Sequence, residues 1–340
     1  MPDRVEILPL EMPAPGDVTA VADGVFWLRM PLPFDLDHIN LWLIDDGDSW
    51  TIVDSGVKSD TIQAHWRAIL SPRTGAKPVR RILCTHCHPD HMGLAGWIAE
   101  TWGAELWTTE GEWGAGRRYG RPGGADPDVF RAHYRRAGCA SEDIDAAIHH
   151  VCGAHAHYTE IPECFHRLRD GDRFAMAGRD WTVMVARGHS VEHACLYSPE
   201  LKLLIGGDQF LPKITPAVLV QPDADNDPLR DFLESNRRFL DLPEGLRILP
   251  SHNLPFVGLQ ARIAAYEQHH ADRLEATLAA CAHPASCTEI ARHLFSRPIR
   301  GRATFFAVGE TLSHIRYLAR QGLVGPATDD GEVARYVREP

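Results

Sequence analysis

Within the run Thr85-His86-Cys87-His88-Pro89-Asp90-His91, four side chains able to ligate a metal fall inside six residues. Imidazole and carboxylate suit zinc, and equally iron or manganese. A lone histidine is more often a packed or surface residue than a ligand. Four such groups crowded at the end of an apolar run would repel a hydrophobic core, and they converge only around something charged. Three further apolar runs end the same way: Trp181-Thr-Val-Met-Val-Ala-Arg-Gly-His189, Leu203-Leu-Ile-Gly-Gly-Asp208 and Arg247-Ile-Leu-Pro-Ser-His252. The chemistry open to such a set is metal-assisted hydrolysis, in which water acidified to near neutrality attacks an electrophilic carbonyl or phosphorus. No Ser-His-Asp or Cys-His arrangement competes with it.

The elements that must position these groups can be read from periodicity and turn signals. Residues 24–30, 39–44 and 50–53 read as strands, the last two joined by an Asp-Asp-Gly-Asp turn. Ile62, Trp66, Ile69 and Leu70 give residues 61–70 a helical face. Residues 79–84 form a β-branched run, hence a buried strand, followed by a helix over 93–101. Strand signals return at 181–186, 194–197, 202–205 and 246–249, before a long helix over 257–281. Four apolar runs thus end in candidate ligands, and in a sandwich of sheets those ends can share one edge. Gly188, Gly206 and Gly207 allow the tight turns that such an edge needs. Residues 108–165, rich in Arg, Gly, His and Tyr, read as a helical insertion or lid outside the sheet, with helices near 128–137 and 141–151. After a linker at 281–286, helices at 288–295 and 306–321 and a wing-like turn suggest a small winged-helix unit.

The ordered set H-x-H-x-D-H, G-H-S, G-G-D and S-H resembles the metallo-β-lactamase superfamily over roughly residues 20–280. The resemblance implies an α/β fold, a four-layer αββα sandwich with its metals at one edge, carrying the insertion and the winged-helix-like domain (281–340). It implies two divalent metal ions, with zinc the first expectation and iron or manganese also compatible. His86, His88 and His189 would hold one ion, Asp90, His91 and His252 the other, and Asp208 would bridge them. Asp90 and Asp208 are accordingly the expected catalytic carboxylates. Asp54, at a strand end in Val53-Asp54-Ser55-Gly56, would orient ligands; a turn-capping role reads as well from its residues alone. His193 would stand behind the ligands or face substrate. The C-terminal unit resembles the small winged-helix domain that follows this fold in a subset of hydrolases.

The bulk properties bound the partners. The chain has 340 residues, 44% hydrophobic and 24% charged, with a formal net charge of -11. That balance argues against coating nucleic acid or an anionic membrane. The N-terminal stretch lacks a basic segment followed by an apolar one, and no apolar run reaches membrane-spanning length, so a cytoplasmic protein is expected. The eight cysteines then read as free thiols, including the Cys84-x-x-Cys87 pair. The helix over 306–321 offers only His314, Arg316 and Arg320 against Glu310, a thin footprint for DNA. Packing against the catalytic domain, or homodimer formation, is the better reading of that unit.

Substrate class is the least determined property. A small-molecule acyl substrate, a thioester above all, is the first reading; ribonuclease or phosphodiesterase activity and lactone hydrolysis are the alternatives. Arg117, Arg118, Tyr119 and Tyr158 in the insertion are the expected substrate contacts, with His149, His150, His155 and His157 beside them. Arg117, Arg118, Arg121, Arg131, Arg135 and Arg136 could hold a compact anionic handle. Met92, Trp97, Trp113 and Phe210 could line an acyl pocket, though each reads equally as core. The pair His269-His270 reads as a polar helix face.

Overall fold

The computed structural model describes residues 4–34, 36–74, 77–222, 226–327 and 331–340. After a short strand β1 (Glu6–Ile7), the strands β2 (Thr19–Ala22), β3 (Val25–Pro31), β4 (His38–Asp45) and β5 (Trp50–Val53) form an antiparallel meander. The same sheet continues in parallel through β6 (Val79–Leu83), β7 (Glu105–Thr109) and β8 (His166–Leu168). Helix α1 (Asp60–Thr74) joins β5 to β6, and α2 (Pro89–Met92) and α3 (Ala95–Trp102) lie between β6 and β7. The insertion occupies the crossover from β7 to β8 as α4 (Glu110–Tyr119), α5 (Pro127–Arg136) and α6 (Ser141–Cys152). It therefore begins two residues later than its composition suggests, because Thr108 and Thr109 are buried and still paired in β7.

The second sheet contains β9 (Arg173–Met176), β10 (Arg179–Ala186), β11 (His193–Ser198), β12 (Leu203–Gly207), β13 (Arg247–Pro250) and β14 (Phe256–Val257) in the order β1-β14-β13-β12-β11-β10-β9. Helices α7 (Pro228–Arg237) and α8 (Leu259–Ala280) flank β13 in sequence. Every pair in this sheet is antiparallel except β12 with β13. Since β11 opposes both β10 and β12, the strands β10, β12 and β13 all point one way. That brings the residues following them, His189, Asp208 and His252, to a common edge.

Burial explains the layering. Along β4, Leu41 and Leu43 pack toward α1 and α3 with Trp66 and Ile98, while Trp42 and Ile44 pack between the sheets with Trp27, Trp181 and Leu196. A strand apolar on both faces belongs inside a stack of layers rather than at a half-wet surface. On the outer face of the second sheet, Leu204 and Ile248 meet Phe232 of α7 and Ile263 and Tyr266 of α8. The result is a helix–sheet–sheet–helix sandwich.

The C-terminal residues add β15 (Ala285–Ser286), α9 (Cys287–Leu294), α10 (Ala303–Arg320), β16 (Val324–Pro326) and β17 (Arg335–Arg338), with the three strands in one small sheet. A full capping box, Ser286 with Glu289, starts α9. This unit and the insertion share a single core: Phe130, Tyr134, Ile144 and Ile148 of α5 and α6 pack with Ile290, Val308 and Ile315 of α9 and α10. The acidic turn at 328–330 lies outside the described residues. His269 is half-buried, but the polar-face reading fails for His270, which is buried and faces buried His314 of α10 at 3.2 Å.

Among the described residues, three α-helices escape the sequence reading: the single-turn α2, α4 and α7. The start of α7 carries a legible signal, Asp227 capping the backbone of Arg230 with Pro228 in the first turn. In contrast, α4 is glycine-rich and a poor helix by propensity. Its Gly116 is needed for close approach, because a Cβ there would lie 2.5 Å from the sulfur of Met92.

Candidate metal centre

The loop after β6 carries His86 and His88 and runs into α2 with Asp90 and His91; His189, Asp208 and His252 follow β10, β12 and β13. Two backbone turns make the convergence feasible. Gly188 has φ +100°, and a Cβ there would lie 2.4 Å from the carbonyl oxygen of Pro228. Gly207 has φ +53°, with the ring of His193 2.4 Å from where a Cβ would stand.

The seven side chains fall into two groups, His86/His88/His189/Asp208 and Asp90/His91/His252; within each group, one potential ligand atom per residue lies within 4.8 Å of the others. His86 Nε2 lies 2.9 Å from His88 Nδ1 and 3.3 Å from His189 Nε2. Asp208 stands between the groups. Its Oδ2 is 3.5 Å from His189 Nε2, and its Oδ1 is 3.5 Å from His91 Nε2 and 3.4 Å from His252 Nε2. Asp90 Oδ2 reaches His252 Nε2 at 3.3 Å and His91 Nε2 at 3.6 Å.

The partners of the other ring nitrogens decide which atoms face the centre. His189 Nδ1 donates to the Ala217 carbonyl at 2.9 Å, and His252 Nδ1 to the His38 carbonyl at 2.8 Å. Those bonds leave a lone pair on each Nε2, directed inward. His91 Nδ1 meets Asp54 Oδ2 at 2.8 Å. Asp54 is itself buried, in a left-handed conformation (φ 62°), and also accepts from the backbone N–H of Thr85 at 2.7 Å. It ties the β5 end to the metal loop and orients His91; of its two sequence readings, the orienting one matches this geometry. His193 is fully buried behind His86, ring centroids 4.8 Å apart, and its Nε2 accepts from the Asp208 N–H at 3.2 Å. It supports the backbone of Asp208 and does not face solvent.

The donor set fits divalent ions. Asp208 Oδ1 and His91 Nε2 are buried without a hydrogen-bond partner. His189 Nε2, with its lone pair inward, faces His86 Nε2 at 3.3 Å, and a cation between the two rings would take both nitrogens as ligands. Five imidazoles and two carboxylates with no thiolate suit zinc, iron or manganese alike. Burial, helped by neighbouring imidazoles, pushes His88 down to about 3. Burial also acts to lower His252, but Asp208 and Asp90 outweigh it and hold it at about 10. Without an ion, protons on the His91–His252 side compensate the two carboxylates.

Several supports carry no sequence signal. Glu112 of α4 is fully buried, and its carboxylate accepts from the N–H of Cys87 at 2.8 Å and of Glu192 at 2.7 Å, clamping the loop of His86 and His88 to the loop after His189. Asn40 donates to the carbonyls of Pro250 and Asn253 on either side of His252, at 2.9 and 2.8 Å. Nothing in a lone Glu or a lone strand Asn announces these roles.

The expected substrate contacts are placed as follows. The insertion lies against the metal loop, with Gly116 beneath Met92 and the Tyr158 hydroxyl donating to the Cys87 carbonyl. Tyr158 is buried, so it braces that loop. Arg117 pairs with Glu163 at 3.5 Å and lies over Trp113, and Arg118 Nε donates to the Gly124 carbonyl at 3.1 Å. Tyr119 packs at the rim of the shared insertion core. Arg131 is engaged by Asp145. His157 meets Phe34 and His150 meets Phe305 and Phe306; among the described residues these histidines form no metal-competent group. Met92 and Phe210 are wholly buried and belong to the core rather than to a pocket. The thiols of Cys84 and Cys87 are buried and pushed well up by desolvation, away from thiolate chemistry.

Comparison with known proteins agrees with this geometry. Residues 34–252 match the metallo-beta-lactamase superfamily, and residues 274–339 match the metallo-beta-lactamase-like C-terminal domain. The chain belongs to the metallo-β-lactamase superfamily: it is an αββα hydrolase with a binuclear-type His/Asp metal cluster. It is similar to a beta-lactamase domain protein from Burkholderia ambifaria, at 38% identity and TM-score 0.88 over 97% of this chain and 96% of that one. A metallo-beta-lactamase family protein from Thermus thermophilus aligns at 31% identity and TM-score 0.80, over 94% of this chain and all of the other. The acyl-coenzyme A thioesterase MBLAC2 of Gallus gallus is 26% identical over 207 residues, 55% of this chain; the chain spans 63% of that relative's length.

Proposed function

We propose that this chain hydrolyses acyl thioesters with two divalent ions, one of which His86, His88 and His189 would hold and the other Asp90, His91 and His252, with Asp208 serving both groups. The observation that carries the two-ion reading is Asp208 itself, one oxygen facing each group. When bound, such ions supply a nucleophilic water at neutral pH and polarise the attacked carbonyl. The protein's own part is to hold His189, His252 and His91 in one orientation each, through Ala217, His38 and Asp54, and to keep Asp208 ionised.

The thioester reading is supported by the similarity to MBLAC2, whose name states that activity. The C-terminal unit counts against the nucleic-acid alternative. The order of α8, β15, α9, α10, β16 and β17 suits a winged helix, in which α10 would be the helix presented to nucleic acid. Here α10 buries Thr304, Val308, Thr311, His314, Ile315 and Leu318, so most of its faces are already covered. We therefore read this unit as structural and place a polyanion groove second to a compact acyl substrate.

The test is a parallel assay, at matched metal content, of acyl-CoA thioesters, lactones, phosphodiesters and single-stranded RNA. Thioester turnover that disappears in Asp208→Ala is expected. Salt-sensitive RNA cleavage without thioester turnover would replace this reading.

A further inference from the structure

The contact between His189 and Ala217 raises the question of what holds Ala217. Residues 211–220 have no regular structure, yet they supply the carbonyl that fixes the His189 tautomer. The strap is anchored on both sides of that carbonyl. At its start, Arg262 of α8 donates to the carbonyls of Leu211 and Ile214 at 2.6 and 2.7 Å, and Tyr266 Oη accepts from the Leu211 N–H at 2.8 Å. At its end, the Val220 N–H donates to the carbonyl of Gly309 in α10 at 3.1 Å. Leu219 lies directly on Gly309, where a Cβ would stand 3.0 Å from Leu219 Cβ and 3.2 Å from its Cδ2. Glycine is a poor residue for the buried middle of an eighteen-residue helix, and this close approach is the local reason for it.

We infer that Gly309 is a positioning residue for the metal centre: by letting the strap seat on α10, it sets the Ala217 carbonyl and through it the ring of His189. The C-terminal unit is then part of the metal site's support rather than an appendage. This rests on the two-ion reading above, and it predicts a selective defect, because only the group containing His189 depends on the strap.

The test is a zinc and cobalt titration of the metal-stripped full chain against a chromophoric chelator. Wild type should load two ions. Gly309→Val should weaken one ion about tenfold, as loss of a partner behind a ligand does, and leave the other unchanged. The weakened step should be the one that His189→Ala abolishes, and adding Leu219→Gly to Gly309→Val should restore it, because only glycine removes the Cβ that the new side chain would meet. If Gly309→Val does not fold, Val220→Pro removes the donor of the strap's hydrogen bond to α10, and the same one-ion loss is expected. Unchanged affinities in a folded variant, equal weakening of both ions, or no rescue by Leu219→Gly would overturn the inference. A wild-type chain that binds no ion would overturn the two-ion reading itself, a separate and recognisable result.

Discussion

Asp54, Asp208 and Glu112 are three buried carboxylates with three different tasks. Asp208 faces both ligand groups, so Asp208→Ala should reduce metal content from two ions to one or fewer and abolish nearly all turnover; elemental analysis with a hydrolysis assay reads both. Asp54 touches no substrate position and acts through His91, so Asp54→Ala should lower metal affinity about 10- to 100-fold while the chain stays folded. Chelator competition measures that, and unaltered affinity would return Asp54 to a capping role. Glu112 holds two backbone N–H groups in a fully buried setting. Glu112→Leu strands both donors, each at a cost of about 1–3 kcal/mol, and should lower thermal stability and metal affinity together. Of these three, Asp208 and Asp54 stand at the ends of apolar runs and were legible as candidates. Glu112 was not, because its partners are main-chain groups from loops 25 and 80 residues away in sequence.

At the scale of elements, α10 and the insertion decide how the sandwich edge is enclosed. His270 of α8 and His314 of α10 meet in the interface between the catalytic body and the C-terminal unit. Burial, followed by the neighbouring His314, holds His270 down to about 3. A histidine whose folded pKa lies below its ordinary value of about 6.5 stabilises the fold above that pH and loses that stability as pH falls toward the folded value, at most about 1.4 kcal/mol per unit. Melting temperature should therefore fall between pH 6.5 and pH 5 in wild type, and fall less steeply in His270→Gln; parallel slopes would show that the pair does not carry the effect. In the insertion, Arg117 is partly exposed and paired with Glu163 at 3.5 Å. Replacing Arg117 should shift KM or acyl preference with metal content unchanged, as loops on a fixed scaffold commonly do. Periodicity found α5 and α6 within a residue or so. It missed α4, whose Gly116 serves contact with Met92 rather than helix propensity.

At the scale of the whole molecule, the insertion and the C-terminal unit form one body around a shared core, although more than a hundred residues of sandwich separate them in sequence. Ending the chain after α8 should leave Phe130, Ile144 and Ile148 uncovered and give an aggregating protein rather than a smaller active one; soluble yield and melting temperature report it.

What the sequence determined by itself was whatever chemistry and short-range pattern impose. Four metal-binding side chains within six residues cannot sit in an apolar core, and strands apolar on both faces require layers above and below. The first constraint marked the seven ligand candidates at the ends of apolar runs; the four-layer sandwich with its metal edge was implied by the resemblance of that motif set to the metallo-β-lactamase superfamily. Only the tertiary structure decided the groups that act through the backbone: the carbonyls of Ala217 and His38, the Glu112 clamp, the Asn40 bridge and the seat of Leu219 on Gly309. Every residue carries the same carbonyl and nearly every one the same N–H, so which of them meets a given side chain depends on how distant segments pack.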